Sequence, residues 1–208
     1  MPLASLHDAV VTAGQFPLLT GVTATFESGQ VYVVTGPNGA GKTSLLRVLA
    51  GLEPLVRGEG HVLGYDLTTP QRRSVRRHVG WLGHEGSFYD ELTVAENLEF
   101  AVRATNGDRS RLSGALDIVG LSQRRDVRAK NLSAGQRRRM GLAWLLIRRA
   151  ELWLLDEPYA SLDDDGRETF DEVLSAATSA GSTVVLTSHD PITASVPLSF
   201  LSLRGGAT

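Results

Sequence analysis

The run Val31-Tyr32-Val33-Val34-Thr35-Gly36-Pro37-Asn38-Gly39-Ala40-Gly41-Lys42-Thr43-Ser44 joins a short apolar segment to a glycine-rich turn, and the turn opens into the helix-forming stretch TSLLRVLA. It satisfies G-x-x-x-x-G-K-[ST] in a strand–loop–helix context. Gly36, Gly39 and Gly41 let backbone N–H groups turn inward with no Cβ in the way, and the helix start adds the positive end of a dipole. That combination cradles phosphate. Lys42 is placed to reach the β- and γ-phosphates of a nucleotide such as ATP, Thr43 to ligate Mg²⁺, and Ser44 to add a hydroxyl contact, with Pro37, Asn38 and Ala40 completing the loop. The plainer alternative is a glycine-rich turn that ends in a helix cap. Against it, Lys42 and Lys130 are the only lysines among 21 basic residues, so a compact ammonium is kept at position 42 in a chain that otherwise uses arginine.

Outward from this loop, short apolar runs recur at Gln30–Thr35, His78–Leu82, Glu151–Leu155 and Thr183–Thr187 without clean alternation, as suits strands buried on both faces. Helical patterns fall after Lys42, over Val94–Arg103, over Ser110–Val119, from Ala134 to about Ile147 and from Asp165 to about Ala177. Alternating strands and helices imply an α/β fold with a mostly parallel sheet. The segment 86–149 carries helical patterns and no convincing strand, which predicts a helical subdomain inserted into one domain spanning 1–208. Val22–Phe26 alternates before the turn Glu27-Ser28-Gly29, so the first thirty residues read as an N-terminal antiparallel β subdomain.

The bulk numbers narrow the classes. With 208 residues the chain can bury a sizeable core, and 42% hydrophobic against 21% charged is an ordinary globular balance. A net charge of −2 provides no basic field for nucleic acid. Cysteine is absent, which excludes disulfides, thiolate metal sites and a cysteine nucleophile. No stretch reaches the roughly 18 to 20 apolar residues of a membrane span, and MPLASLHDAV does not read as a signal peptide. The expectation is a cytoplasmic protein that meets any membrane process through a partner.

Two further constellations carry chemistry. Leu152-Trp153-Leu154-Leu155 runs into Asp156-Glu157-Pro158, placing carboxylates at the C-terminal edge of a parallel strand, where ligands bind. Asp156 fits a Mg²⁺-holding aspartate and Glu157 a general base for an attacking water. Leu132-Ser133-Ala134-Gly135-Gln136 precedes a helix that Ser133 can cap, and Gly135 leaves backbone open to an anion.

Taken in order, GPNGAGKTS, LSAGQ, ELWLLDEP, Ser161-Leu162-Asp163 and Thr187-Ser188-His189-Asp190 resemble the motifs of ABC-transporter ATP-binding domains, over nearly the whole chain. The resemblance implies a P-loop NTPase fold, ATP hydrolysis, and a homodimer or a pair with a related ATPase. In such a pair Ser133, Gly135 and Gln136 of one copy seal the nucleotide held by the other. It further implies that His189 holds the γ-phosphate and water in register, that Asp163 bridges to the partner's site, and that membrane-spanning permease subunits receive the motion. By position, His84 stands where most relatives carry a glutamine touching Mg²⁺ and water. Asp163 has a second reading, because Asp163-Asp164-Asp165 is also an acidic helix start.

The aromatic that usually stacks on adenine is absent at Ala13, with Phe16 nearby as a substitute, so the base preference between ATP and GTP stays open. The short chain and its arginine-rich LSAGQRRRMGLAWLLIRRAELWLLDEPYASLD are most similar to ATP-binding subunits of the haem exporter of cytochrome c maturation. Drug, polysaccharide and peptide exporter subunits, soluble ABC ATPases, P-loop kinases and nucleotide-sensing modules are the alternatives. Trp81, Phe88 and Tyr89 read as core residues or as contacts for a membrane partner. Arg72, Arg73, Arg76, Arg77 and Arg137–Arg139 read as solvated helix faces or as a basic surface for that partner.

Overall fold

The computed structural model describes residues 2–83, 88–105, 107–160, 162–188, 192 and 196–204. The strands are β1 (Ala4–Ala13), β2 (Phe16–Phe26), β3 (Val31–Thr35), β4 (Arg57–Val62), β5 (Tyr65–Asp66), β6 (Val79–Leu82), β7 (Leu152–Leu155), β8 (Thr183–Thr187) and β9 (Leu198–Ser202). The α-helices are α1 (Lys42–Leu49), α2 (Val94–Ala104), α3 (Leu112–Ile118), α4 (Ala134–Arg148) and α5 (Asp164–Ser179). One sheet is antiparallel, in the order β2-β1-β4-β5, and the other runs β6-β7-β8-β3-β9. Every pairing in the second sheet is parallel. Between β6 and β7 come α2, α3 and α4, and the described part of 88–149 holds one isolated bridge, Thr93–Arg128, and no strand.

The missing alternation in the central strands has a direct cause. Val31 and Val33 of β3, Trp153 and Leu155 of β7, and Val184 and Leu186 of β8 pack into one core with α2 to α5. Tyr32, Val34, Leu152, Leu154 and Val185, the intervening residues, pack into a second core with α1 and the antiparallel sheet. Both faces of the parallel sheet are covered, so the inner positions along these strands are apolar, and β8 is polar only at its two ends, Thr183 and Thr187.

Each helix start shows its own chemistry. Thr93 and Glu96 form a capping box on α2, Ser133 and Gln136 form another on α4, and the Asp163 side chain caps α5. These side chains satisfy amide N–H groups that have no partner inside the helix. At α1 no side chain caps the helix, whose N-cap is Gly41.

The central strands and the helices read from the sequence are present with ends within two residues of those expected, and Val22–Phe26 is the second half of β2, which starts at Phe16. The sequence reading did not find β4, β5, β9 or the 3₁₀ segment Pro70–Arg77. The β4 sequence RGEGHV has glycines where strands favour branched side chains. The reason lies in its neighbour β1. A Cβ at Gly58, where φ is +85°, would lie 2.3 Å from the Asp8 carbonyl oxygen. At Gly64, where φ is +80°, an added Cβ meets nothing within 4 Å among the described residues.

This pair separates strain from contact. Gly64→Ala should cost about 1–2 kcal/mol, the usual penalty of a left-handed non-glycine residue. Gly58→Ala should cost more, because backbone of β1 cannot move aside cheaply. Thermal unfolding of the two variants checks this, and equal losses would show that β1 and β4 have room to spare.

Candidate functional site

The glycine-rich loop leaves the C-terminal end of β3 and bends over the start of α1. Gly36, Gly39 and Gly41 take φ values of +147°, +78° and +91°. At Gly41 a Cβ would lie 2.3 Å from the Leu18 carbonyl oxygen, so the loop is pressed against β2 and glycine is required there. Lys42 is buried, and its Nζ donates to the carbonyl oxygens of Gly36 at 2.8 Å and Pro37 at 3.2 Å. The ammonium thus holds the loop in a closed curve around a concavity. With no side-chain cap on α1, the backbone N–H groups at its tip are available to an anion.

Across this concavity lies Asp156, buried at the end of β7. Thr43 Oγ1 donates to Asp156 Oδ2 at 2.8 Å, and Thr187 Oγ1, at the end of β8, donates to Asp156 Oδ1 at 2.7 Å. The same Thr187 oxygen accepts from the Glu157 backbone N–H at 2.9 Å. The sheet order β7-β8-β3 puts Thr187 between the acidic turn and the phosphate loop. Glu157 has φ of +49°, a left-handed conformation that costs a non-glycine residue about 1–2 kcal/mol. Pro17, Leu18, Asn38, Gly39, Gly41, Lys42, Thr43, Ser44, Asp156 and Glu157 enclose a cleft of about 480 Å³. The cleft therefore brings together backbone amides, an ammonium, two hydroxyls and two carboxylates.

Beneath the acidic turn sits Arg138. It is buried, not on a solvated face as expected for the arginine run 137–139. Its Nη1 donates to the Gly83 carbonyl oxygen at 2.8 Å, and its Nη2 donates to Asp156 O at 3.0 Å and to Glu157 O. Burial lowers its pKa, and the charges of Asp156 and Glu157 oppose that shift. A signal existed in the sequence: Arg138 shares a helical face with Gly141, Leu142 and Leu145, all turned inward. Arg137 pairs with Asp90 at 2.7 Å on the exposed side, as a solvated face should.

Other expected site residues lie elsewhere. Ser133 Oγ accepts from the Gln136 N–H at 3.1 Å, and Gln136 Oε1 accepts from the Ser133 N–H at 3.0 Å. Ser133 is exposed, and neither it nor Gly135 nor Gln136 lines the cleft of its own chain. Asp163 Oδ1 accepts from the Gly166 N–H at 3.0 Å, the capping role that its acidic neighbours suggested. His84, His189 and Ser161 lie outside the described residues. Ala13 and Phe16 are directly paired across the β1–β2 hairpin, so they share a face. Phe16 is 78% exposed and lines a cavity of about 970 Å³ next to the cleft, sharing Pro17, Leu18 and Gly39 with it.

A strand–loop–helix phosphate cradle facing a buried aspartate and a strained glutamate at parallel strand ends defines the P-loop class of nucleoside triphosphatases. The family model described as ABC transporter matches residues 19–160, and the chain belongs to that family. As a member it is an ATP-binding and ATP-hydrolysing subunit. It is similar to the cytochrome c biogenesis ATP-binding export protein CcmA of Salmonella typhi, 42% identical over 91% of both chains. It is also similar to CcmA of Xanthomonas axonopodis pv. citri, 38% identical over 90% of this chain and 87% of that one. Among solved structures, a dimeric bacterial ABC transporter cassette superposes with a TM-score of 0.84 at 21% identity, over 98% of this chain and 95% of that one. A cassette dimer in a post-hydrolysis state bound to ADP and Pi gives 0.81 at 23% identity, over 90% and 88%.

In the sequence Thr187 reads as the end of a strand and a neighbour of His189, with no role of its own, yet it bonds both members of the acidic pair. Replacing it with valine keeps the shape and removes both bonds. Thr187→Val should lower kcat for ATP about tenfold or more, equivalent to at least ~1.4 kcal/mol of barrier, with KM changed far less. Steady-state kinetics on the purified chain provide the check.

Proposed function

We propose that this chain is the motor subunit of an exporter serving cytochrome c biogenesis, and that it hydrolyses ATP in a two-copy arrangement. The observation that carries the catalytic reading is the hydrogen-bonded chain Thr43–Asp156–Thr187–Glu157 facing the loop lysine. The likeness to CcmA proteins supports the cellular role.

In this reading, the backbone N–H groups of residues 38–44 and the Lys42 ammonium hold the β- and γ-phosphates. Thr43 and Asp156 suit Mg²⁺. They are hard oxygen donors already in contact at 2.8 Å, and among the described residues no cluster of three metal-binding side chains competes for that place. Bound there, Mg²⁺ neutralises charge across the two phosphates. Glu157 accepts the proton of a water whose oxygen forms the new bond to the γ-phosphorus, and the bond to the β,γ-bridging oxygen breaks, leaving ADP with the electron pair. By the family resemblance, His189 would keep water and γ-phosphate aligned, and His84 would offer its imidazole to the water or to Mg²⁺. Phe16, in place of an aromatic at Ala13, provides an apolar surface for the base. Such a surface has no hydrogen-bond code and does not by itself reject GTP.

Ser133, Gly135 and Gln136 contribute to the site of a second copy, and Asp163 lies at the junction. Three observations support this: Ser133 and Asp163 are exposed, none of the four lines the cleft of its own chain, and the fold is like that of dimeric cassettes.

The membrane partner needs its own contact. No helix among the described residues is long and apolar enough to cross a membrane. A groove of about 270 Å³ is lined by Trp81, Phe88, Tyr89, Phe100 and Trp144. Asn97 shapes its wall by donating to the carbonyls of Tyr89, Leu92 and Thr93. Tyr89 is 54% and Phe100 50% exposed, costly for side chains that never meet a partner. Arg148 stacks on Trp144 with its guanidinium 5.6 Å from the ring centroid, giving the groove a basic edge. A short amphipathic segment of a membrane-spanning subunit, with an apolar anchor and an acidic flank, fits this surface and would hold the chain at the inner face of the membrane.

Glu157→Gln should bind ATP normally, hydrolyse it at least about a hundredfold more slowly, and form an ATP-dependent dimer on light scattering. Wild-type turnover in that variant would remove Glu157 from its role, and a monomer at saturating ATP would remove the pairing. For the cellular role, the gene should restore covalent haem attachment to c-type cytochromes in a bacterium lacking CcmA, and Phe100→Ser should lose that rescue while keeping its ATPase activity.

A further inference from the structure

A buried arginine whose donors meet main-chain carbonyls, with no salt bridge to a carboxylate among the described residues, is an expensive choice. Moving a cation out of water costs several kcal/mol, and an apolar side chain of similar size is often no less stabilising. Arg138 has that position, and its bonds show what it does. Its three hydrogen bonds to described residues all go to main-chain carbonyls at strand ends: Gly83 beyond β6, and Asp156 and Glu157 beyond β7. The Asp156 and Glu157 carbonyls belong to the two peptide groups that flank the Glu157 Cα. The N–H of the first peptide is held by Thr187. The strained φ of +49° is therefore fixed from both sides, by a hydroxyl on one strand and a guanidinium on a helix.

The helix is the second half of the argument. Arg138 stands in the second turn of α4, whose exposed tip is the Ser133–Gln136 capping box. A helix is stiff over so short a span, so a tilt or slide of α4 imposed at its tip moves the Arg138 guanidinium. The guanidinium in turn pulls on the two peptides that aim Glu157. Gly83 is attached to the same group, and it immediately precedes His84 in the chain.

We propose that Arg138 is a positioning residue that couples the two nucleotide sites. Engagement of Ser133 with the nucleotide on the second copy shifts α4, and Arg138 converts that shift into the productive aim of Glu157 in its own chain. The inference rests on the paired arrangement proposed above. It adds that each site is switched on by occupancy of the other, through a side chain that touches neither nucleotide.

Arg138→Met keeps length and bulk and removes every donor. ATP affinity, read with a fluorescent ATP analogue, should change less than about threefold, because the phosphate loop is untouched. The turnover number should fall about tenfold or more. The Hill coefficient for ATP hydrolysis, between 1 and its ceiling of 2 for two sites in the parent chain, should fall to about 1. Arg138→Lys, which keeps a cation and some donors, should recover part of both. A loss of turnover with an unchanged Hill coefficient would overturn the coupling, as would a parent chain with a coefficient of 1. Should the methionine variant not fold, Arg138→Gln and Arg138→Lys carry the same readings. The ATP-dependent dimer of Glu157→Gln separates the two ideas: if it forms while Arg138→Met keeps cooperativity, only the coupling fails, and if it does not form, the pairing fails first.

Discussion

A carboxylate taken out of water must be met by donors or it protonates or unfolds its surroundings. Asp156 is met by two hydroxyls, Thr43 at the start of α1 and Thr187 at the end of β8, and the rest of the site is arranged around that contact. The contact needs three chain segments, distant in sequence, to end at one level. The parallel sheet delivers this, because β7, β8 and β3 are neighbours and point the same way. Their common C-terminal edge is where the loop, the acidic turn and Thr187 meet. An antiparallel sheet of the same strands would send one of the three to the opposite edge.

Both faces of that sheet are roofed, and the roofs differ. On one side α1 and the antiparallel sheet press on Tyr32, Val34, Leu152, Leu154 and Val185; on the other, α2 to α5 press on the alternate residues. The first roof is tied to the phosphate loop through the approach of Gly41 to Leu18. The second carries the α4 tip and the aromatic groove. A ligand in the cleft thus touches a sheet between two bodies, one holding the phosphates and one presenting surfaces outward. In the proposed function, motion of the second relative to the first would carry chemistry in the cleft to a partner that never enters it.

How much of this the sequence disclosed depends on whether a feature is local. The phosphate loop, the Asp156–Glu157 turn and the Ser133 cap are short-range patterns, and each was legible because its residues are adjacent. The central strands were found from apolarity alone. β4 was not, because its glycines answer to neighbours outside the strand, Gly58 to the Asp8 backbone on β1 and Gly60 to the side chains of Leu6, Leu55 and Leu67. Arg138 reads from the sequence as part of a solvated face or of a basic partner surface, since a run of three arginines looks uniform until helical phase separates Arg137, which meets Asp90 at the surface, from Arg138, which points at strand ends. Thr187 looks like an ordinary strand threonine, and only the pairing of β8 with β7 and β3 shows what its hydroxyl does.

The capping boxes bear on the division of labour between copies. In α4 the Ser133 oxygen is engaged as an acceptor by the Gln136 N–H. A hydroxyl has a proton to donate besides its acceptor sites, so capping its own helix leaves Ser133 able to donate outward to an anion. Gln136 returns the favour to the Ser133 N–H and fixes the serine in an extended conformation, with φ of −64° and ψ of 163°. The tip of α4 is thus already held by its own capping box. Ser133 is exposed and does not line its own chain's cleft, so its hydroxyl proton is open to an anion from outside the chain. That is the role proposed above for it against the phosphate loop of a second copy.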